Sequence, residues 1–122
     1  RGMLSYDILK QIKRGAFFIN IARGEISPLR DLARLLKEGR LGGLGLDVFE
    51  EESLIAEDLR ENNSQLGELS RLVLRLKDKE NVIFTPHNAF NTEEALDRKA
   101  SLAIESIKVF LKTGRFPWPV FK

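Results

Sequence analysis

The chain has 122 residues, 20 of them basic and 18 acidic, for a net charge of +2 with both signs mixed along its length. That balance provides no basic block for a nucleic-acid surface. There is no cysteine, which excludes disulfides and thiol nucleophiles, and one histidine is too few for an ordinary zinc site. No stretch is apolar over the ~20 residues of a membrane helix, so a soluble, cytoplasmic globular domain is expected.

Short apolar runs alternate with helical patterns. Ser5 is placed to cap a first helix with Ile8, Leu9 and Ile12 on one face and Gly15 as its stop. Ala16 to Ile21 is almost continuously apolar, as in a parallel strand covered on both faces. Ser27-Pro28 reads as an N-cap followed by proline in the first turn. Leu29, Leu32, Ala33 and Leu36 then repeat at helical spacing up to Gly39. Leu44 to Phe49 is the second expected strand, flanked by Gly42 and Gly43. The polar stretch from Glu50 to Ser64 reads as a surface excursion. Leu66, Leu69, Val73 and Leu76 mark a third helix, and Val82 to Thr85 a third strand stopped by Pro86. Asn91 with Glu94 forms a capping-box pattern for a last helix. Its apolar face carries Leu96, Ala100, Ala103, Ile104, Ile107 and Leu111, and Gly114 ends it. Phe116 to Pro119 should be an extended tail.

Strands alternating with helices predict an α/β fold: a partial Rossmann-type doubly wound parallel sheet of about three strands with flanking helices. Such sheets bind ligands beyond the carboxyl ends of their strands. That rule singles out Arg23, the segment Asp47 to Glu52, and His87. His87 is the one side chain whose ordinary titration falls near neutrality, and a carboxylate beside it would favour the imidazolium. Glu50, Glu51 and Glu52 are the candidate partners, and a solvated acidic turn is the plainer reading for at least two of them. A guanidinium at Arg23 can hold a carboxylate by two parallel hydrogen bonds, or simply form a surface ion pair. Asp47 interrupts an apolar strand, and burial obliges it to find partners. Neither a G-x-G-x-x-G fingerprint, a P-loop, nor a G-x-S-x-G elbow is present.

At these residues the sequence resembles the D-isomer-specific 2-hydroxyacid dehydrogenases. Asn20-Ile21-Ala22-Arg23-Gly24 is similar to the family's arginine motif. Leu41 to Glu50 is similar to its aspartate strand, and Asn81 to His87 to its histidine strand; Thr92 to Ala95 is similar to the start of the helix beyond. The long interval from Glu52 to His87 and the Ala89-Phe90 pair resemble the D-lactate and D-hydroxyisocaproate branch. Pro28 and Ser53 stand where the family often has aspartate and proline.

The resemblance implies an NAD-dependent enzyme passing hydride between the cofactor and a D-2-hydroxy acid/2-keto acid pair. Arg23 would bind the substrate carboxylate. His87 would be the general acid or base, and Glu52 would pair with it and favour its charged form. Ile21, Ala22, Arg23, Asp47, His87 and Ala89 would contact NAD. It further implies that residues 1–122 are the C-terminal part of a dinucleotide-binding domain. The substrate domain and the first half of the cofactor domain, with the glycine loop, would be absent, and the chain alone inactive. A sheet cut in this way should self-associate, as a dimer or larger. The family also includes non-enzymatic NAD-sensing corepressors that keep the same three residues, which leaves an interaction module as the alternative.

Overall fold

The computed structural model describes residues 2–60 and 66–118. It divides into two compact units, residues 1–88 and 89–122. The first unit carries helix α1 (Tyr6–Leu9), strand β1 (Ala16–Asn20), a 3-10 turn (Gly24–Ile26), α2 (Leu29–Lys37), β2 (Leu41–Leu46), α3 (Glu52–Arg60), α4 (Glu68–Leu76) and β3 (Val82–Phe84). The second holds one long helix, α5 (Glu93–Thr113). No helix of the described residues is long and apolar enough to cross a membrane.

The three strands form one sheet in the order β1-β2-β3, parallel throughout. Phe18 pairs with Leu44 and Leu44 with Val82; Ile19 pairs with Gly45 and Gly45 with Ile83. This register fixes the faces, because side chains alternate along a strand. Leu44, Leu46 and Val82 join the buried leucines of α2 and Val73 and Leu76 of α4 in one core. The opposite face shows Phe17, Ile19 and Ile83 outward. The fold is thus an open, partial Rossmann-type α/β sheet. β1 is not covered on both faces as its apolar run predicts, and its burial alternates instead.

Local chemistry moves several expected boundaries. β2 begins at Leu41, not Leu44, because the glycines lie inside it. A Cβ at Gly42 would sit 2.4 Å from the Gly15 carbonyl oxygen, so only glycine lets the strand run past that turn. Ser27 does not cap α2, since its hydroxyl accepts from Asn20 Nδ2 at 3.2 Å. The Leu29 N–H at the start of that helix is taken instead by the Glu50 carboxylate, at 3.3 Å. Such an acceptor also suits the positive end of the helix dipole.

The stretch after Glu50 is not simply a surface excursion, because Glu52 to Arg60 are helical and Ile55 is buried in the core. Residues 61–64 of that stretch lie outside the described residues. Ser5 makes no side-chain cap to α1. α5 is capped one residue later than expected: Thr92 Oγ1 accepts the Ala95 N–H at 3.2 Å. The Glu94 carboxyl is held below its usual range, first by its own backbone N–H and then by the Thr92 hydroxyl. Gly114, at φ 70°, closes the helix with its N–H on the Phe110 carbonyl. Beyond it Phe116 stacks on Phe110 with ring centroids 4.6 Å apart. Residues 119–122 of the expected tail lie outside the described residues.

Candidate active site

Each strand delivers one candidate residue just past its carboxyl end: Arg23 after β1, Asp47 after β2 and His87 after β3. Because the strands are parallel and adjacent, these three ends lie on one edge of the sheet. A cleft of about 300 Å³ is lined by Arg23, Gly24, Glu51, Glu52, Leu54 and His87, among others. A second cavity, of about 520 Å³, borders it on the apolar side with Phe49, Ile55, Leu59, Val73, Phe84 and again Glu52 and His87.

His87 Nδ1 lies 3.0 Å from Glu52 Oε2, with both side chains partly exposed. An ionised carboxylate can only accept, so Nδ1 carries the proton and donates. That fixes the ring and leaves Nε2 as its other working atom. The other Glu52 oxygen accepts the Phe49 N–H at 3.1 Å. Glu52 therefore bonds its own turn with one oxygen and the histidine with the other, which holds the carboxylate in place.

The acidic triplet is not a uniform solvated turn. Glu50 caps α2 and Glu52 binds His87. Glu51 is exposed, and its backbone is left-handed at φ 56° while its carbonyl accepts the N–H groups of Leu54 and Ile55 at the start of α3. His87 is the only other described non-glycine residue with positive φ, at 52°, and its N–H reaches the Thr85 carbonyl across Pro86 at 3.1 Å. The two strained residues adjoin or belong to one pair. Strain of this kind persists only where the surroundings over-determine it.

Asp47 is 3% exposed, and its partners explain how it is accommodated in an apolar strand end. Its Oδ1 accepts the Thr85 hydroxyl at 2.5 Å and the Asn88 N–H at 2.7 Å. These bonds grip the histidine loop on both sides of His87. Thr85 and Asn88 were not among the sequence candidates. Their signal was there: a buried acid in an apolar strand demands donors from the neighbouring strand end. Ile21 and Ala22 are exposed directly after β1. Ala89 opens the second unit and is described with it.

Arg23 is exposed, and its guanidinium donates to the Ala22 carbonyl at 2.8 Å. Among the described residues it enters no ion pair. Gly24 next to it was also unpredicted. A Cβ there would lie 1.9 Å from the Phe49 carbonyl carbon and 2.3 Å from the Glu50 nitrogen. No side chain fits, so glycine lets the arginine loop pack directly on the backbone that leads into Glu52.

Residues 1–89 match the family model for the NAD binding domain of the D-isomer specific 2-hydroxyacid dehydrogenases. The chain belongs to that family. It is 33% identical over 115 residues to a D-lactate dehydrogenase of Lactiplantibacillus plantarum, covering 93% of this chain and 33% of that relative. Its fold is similar to that of the Aquifex aeolicus D-lactate dehydrogenase complexed with NAD and lactic acid. That match has a TM-score of 0.72 and 33% identity, and covers 98% of this chain and 38% of the other. A D-2-hydroxyisocaproate dehydrogenase superposes with a TM-score of 0.81 at 26% identity, over 98% of this chain and 35% of the other. The likeness therefore falls on the D-lactate and D-hydroxyisocaproate side of the family. The chain spans about a third of the length of the curated relatives it matches.

Proposed function

We propose that this chain is the C-terminal part of the cofactor domain of a D-2-hydroxyacid dehydrogenase, the rest of the enzyme supplying the glycine loop and the substrate domain. The observation that carries the reading is the His87 Nδ1–Glu52 Oε2 pair at 3.0 Å in the same cleft as Arg23. An imidazole fixed at Nδ1 by a carboxylate and a guanidinium beside it are what a 2-keto acid requires at its two oxygen-bearing carbons.

The residues present fit the nicotinamide end of NAD. Ile21 is an exposed apolar side chain directly beyond β1, where open parallel sheets take their ligands. Ala22, Arg23, Asp47 and His87 are the further residues assigned to that end. NAD(H), when bound, supplies or takes the hydride. Arg23 holds the substrate carboxylate by paired hydrogen bonds and orients the keto carbon. His87, protonated, gives its Nε2 proton to the 2-keto oxygen during reduction and recovers it during oxidation. Glu52 accepts from Nδ1 with one oxygen and from the Phe49 N–H with the other, and so keeps the ring in one orientation.

The test is steady-state reduction of pyruvate and of branched 2-keto acids by the intact dehydrogenase. His87→Ala should lower kcat by roughly 10² to 10⁴, the usual worth of a general acid. Glu52→Gln preserves shape but removes the charged acceptor on His87 Nδ1, so kcat should fall, by less than in His87→Ala. Arg23→Lys should mainly raise KM, since a point charge cannot reproduce the fork. An undiminished kcat in His87→Ala would overturn the reading.

A further inference from the structure

We propose that Asn20 is a positioning residue for Arg23, a reading that rests on the substrate-binding role given to Arg23 above. Asn20 is the last residue of β1 and is 5% exposed. Its side chain has three partners. Nδ2 donates to the Arg23 carbonyl at 2.9 Å and to Ser27 Oγ at 3.2 Å, and Oδ1 accepts the Ala22 N–H at 3.0 Å. One short amide thereby spans the turn, binding the residue before the arginine through an N–H and the arginine itself through its carbonyl. The Asn20 backbone carbonyl accepts the Asp47 N–H at 3.0 Å, which ties the same residue to the end of β2.

The arginine side chain is long and exposed, and its guanidinium donates to the Ala22 carbonyl on the same turn at 2.8 Å, so where the fork ends depends on how the backbone of that turn is held. Its aim depends on a fixed starting point. Asn20 fixes the backbone on one side of Arg23. Gly24 fixes it on the other, because its Cα lies against the Phe49–Glu50 peptide with no room for a Cβ. That peptide leads into Glu52, which binds His87. The arginine loop and the turn that carries Glu52 are therefore packed backbone against backbone. The role needs a donor and an acceptor on the same short side chain. Aspartate is of nearly the same size but has no donor, and it would set a negative oxygen beside the Arg23 carbonyl. Leucine offers neither group.

The test compares Asn20→Asp, Ser27→Ala and Arg23→Lys in the intact dehydrogenase, with KM for the keto acid, kcat and the NADH dissociation constant measured for each. Asn20→Asp should raise the keto-acid KM by roughly five- to tenfold with a smaller change in kcat, the size of effect that follows from losing a hydrogen bond. NADH affinity should change less than the keto-acid KM, since aspartate keeps the acceptor for the Ala22 N–H and loses the donor to the Arg23 carbonyl. A merely structural role would reduce the amount of folded enzyme, which lowers apparent kcat and leaves KM alone. Ser27→Ala removes one of the three partners and should give a smaller shift in the same direction, which keeps the test open if the aspartate variant does not fold. An unchanged KM in folded Asn20→Asp, or in Ser27→Ala where the aspartate does not fold, overturns the inference if Arg23→Lys raises KM. An unchanged KM in Arg23→Lys overturns the substrate reading, and the inference falls with it.

Discussion

The two faces of the three-stranded sheet are built from equally apolar side chains and end in opposite environments. On one face Leu44, Leu46 and Val82 are buried with α2 and α4, and Leu32 at the centre of α2 is 0% exposed. On the other, Phe17, Ile19 and Ile83 are 75%, 72% and 67% exposed and stand in register across the glycines of β2. The composition of a strand therefore states what it can bury, while the helices that reach it decide what it does bury. The site belongs to neither face. It sits on the edge where the strands end, held by buried polar residues, Asn20 and Asp47, whose bonds run along that edge.

The largest expected effect follows from the covered face. Leu32→Ala should cost about 2–5 kcal/mol, the range for a fully buried leucine that leaves a cavity. Phe17→Ser should cost about 0.5 kcal/mol or less at low protein concentration, as for other exposed positions. Urea unfolding of the chain and both variants measures the pair directly. A loss in Phe17→Ser equal to that in Leu32→Ala would break the comparison, because it would mean that the outer face is covered in solution.

A second measurement sharpens the contrast. Adjacent exposed apolar residues on a sheet face, next to an edge strand that carries neither charge nor proline from residue 16 to 20, favour pairing with another chain. The chain is expected to associate with itself, and Ile19→Lys should shift it toward the monomer by roughly tenfold in dissociation constant, about 1.4 kcal/mol. Sedimentation equilibrium over a hundredfold concentration range tests this. A mass that stays monomeric at every concentration would count against it.

How far the sequence disclosed these features depends on the distance over which each is determined. The leucine spacing of α2 is local, and it was legible. So were the three strand ends, because an apolar run followed by Arg23, Asp47 or Pro86-His87 is a local signal. α3 was hidden because its only buried side chain is Ile55, while Leu54 and Leu59 face outward and blur the periodicity. The start of β2 was hidden because its glycines read as a flank, and their reason lies in Gly15, far back in the chain. The N-terminal cap of α2 could not be read locally at all. It comes from Glu50, 21 residues on, while the serine that looked like the cap serves Asn20. Glu52 could be set apart from its two acidic neighbours only through family resemblance. The geometry separates all three: Glu50 caps α2, Glu52 binds His87, and Glu51 is exposed with a left-handed backbone.

The smallest expected effect lies at the rim of the covered layer, where α3 meets α4. The Asp58 carboxylate on α3 accepts the Ser70 hydroxyl at 2.5 Å and the Gly67 N–H at 2.8 Å, and so caps α4 from a neighbouring helix. The hydroxyl first, and the backbone N–H second, hold its carboxyl below the ordinary value of 3.8. A carboxyl depressed on folding binds its proton more readily in the unfolded chain. The stability it contributes is therefore complete at neutral pH, above the unfolded value. It declines as the pH falls below about 4 and is gone once the folded group is protonated. Asp58→Asn retains an acceptor oxygen but loses the charge, so the variant should be less stable than the parent at pH 7 and approach it as the pH falls from about 4 toward 2. Urea midpoints of both proteins across that range give the difference at each pH. Other carboxyls titrate in the same window, but they do so in both proteins and cancel in the difference. A gap that stays constant with pH would mean that the amide disturbs packing at the α3–α4 contact, and that the charge on Asp58 contributes nothing to holding the helices together.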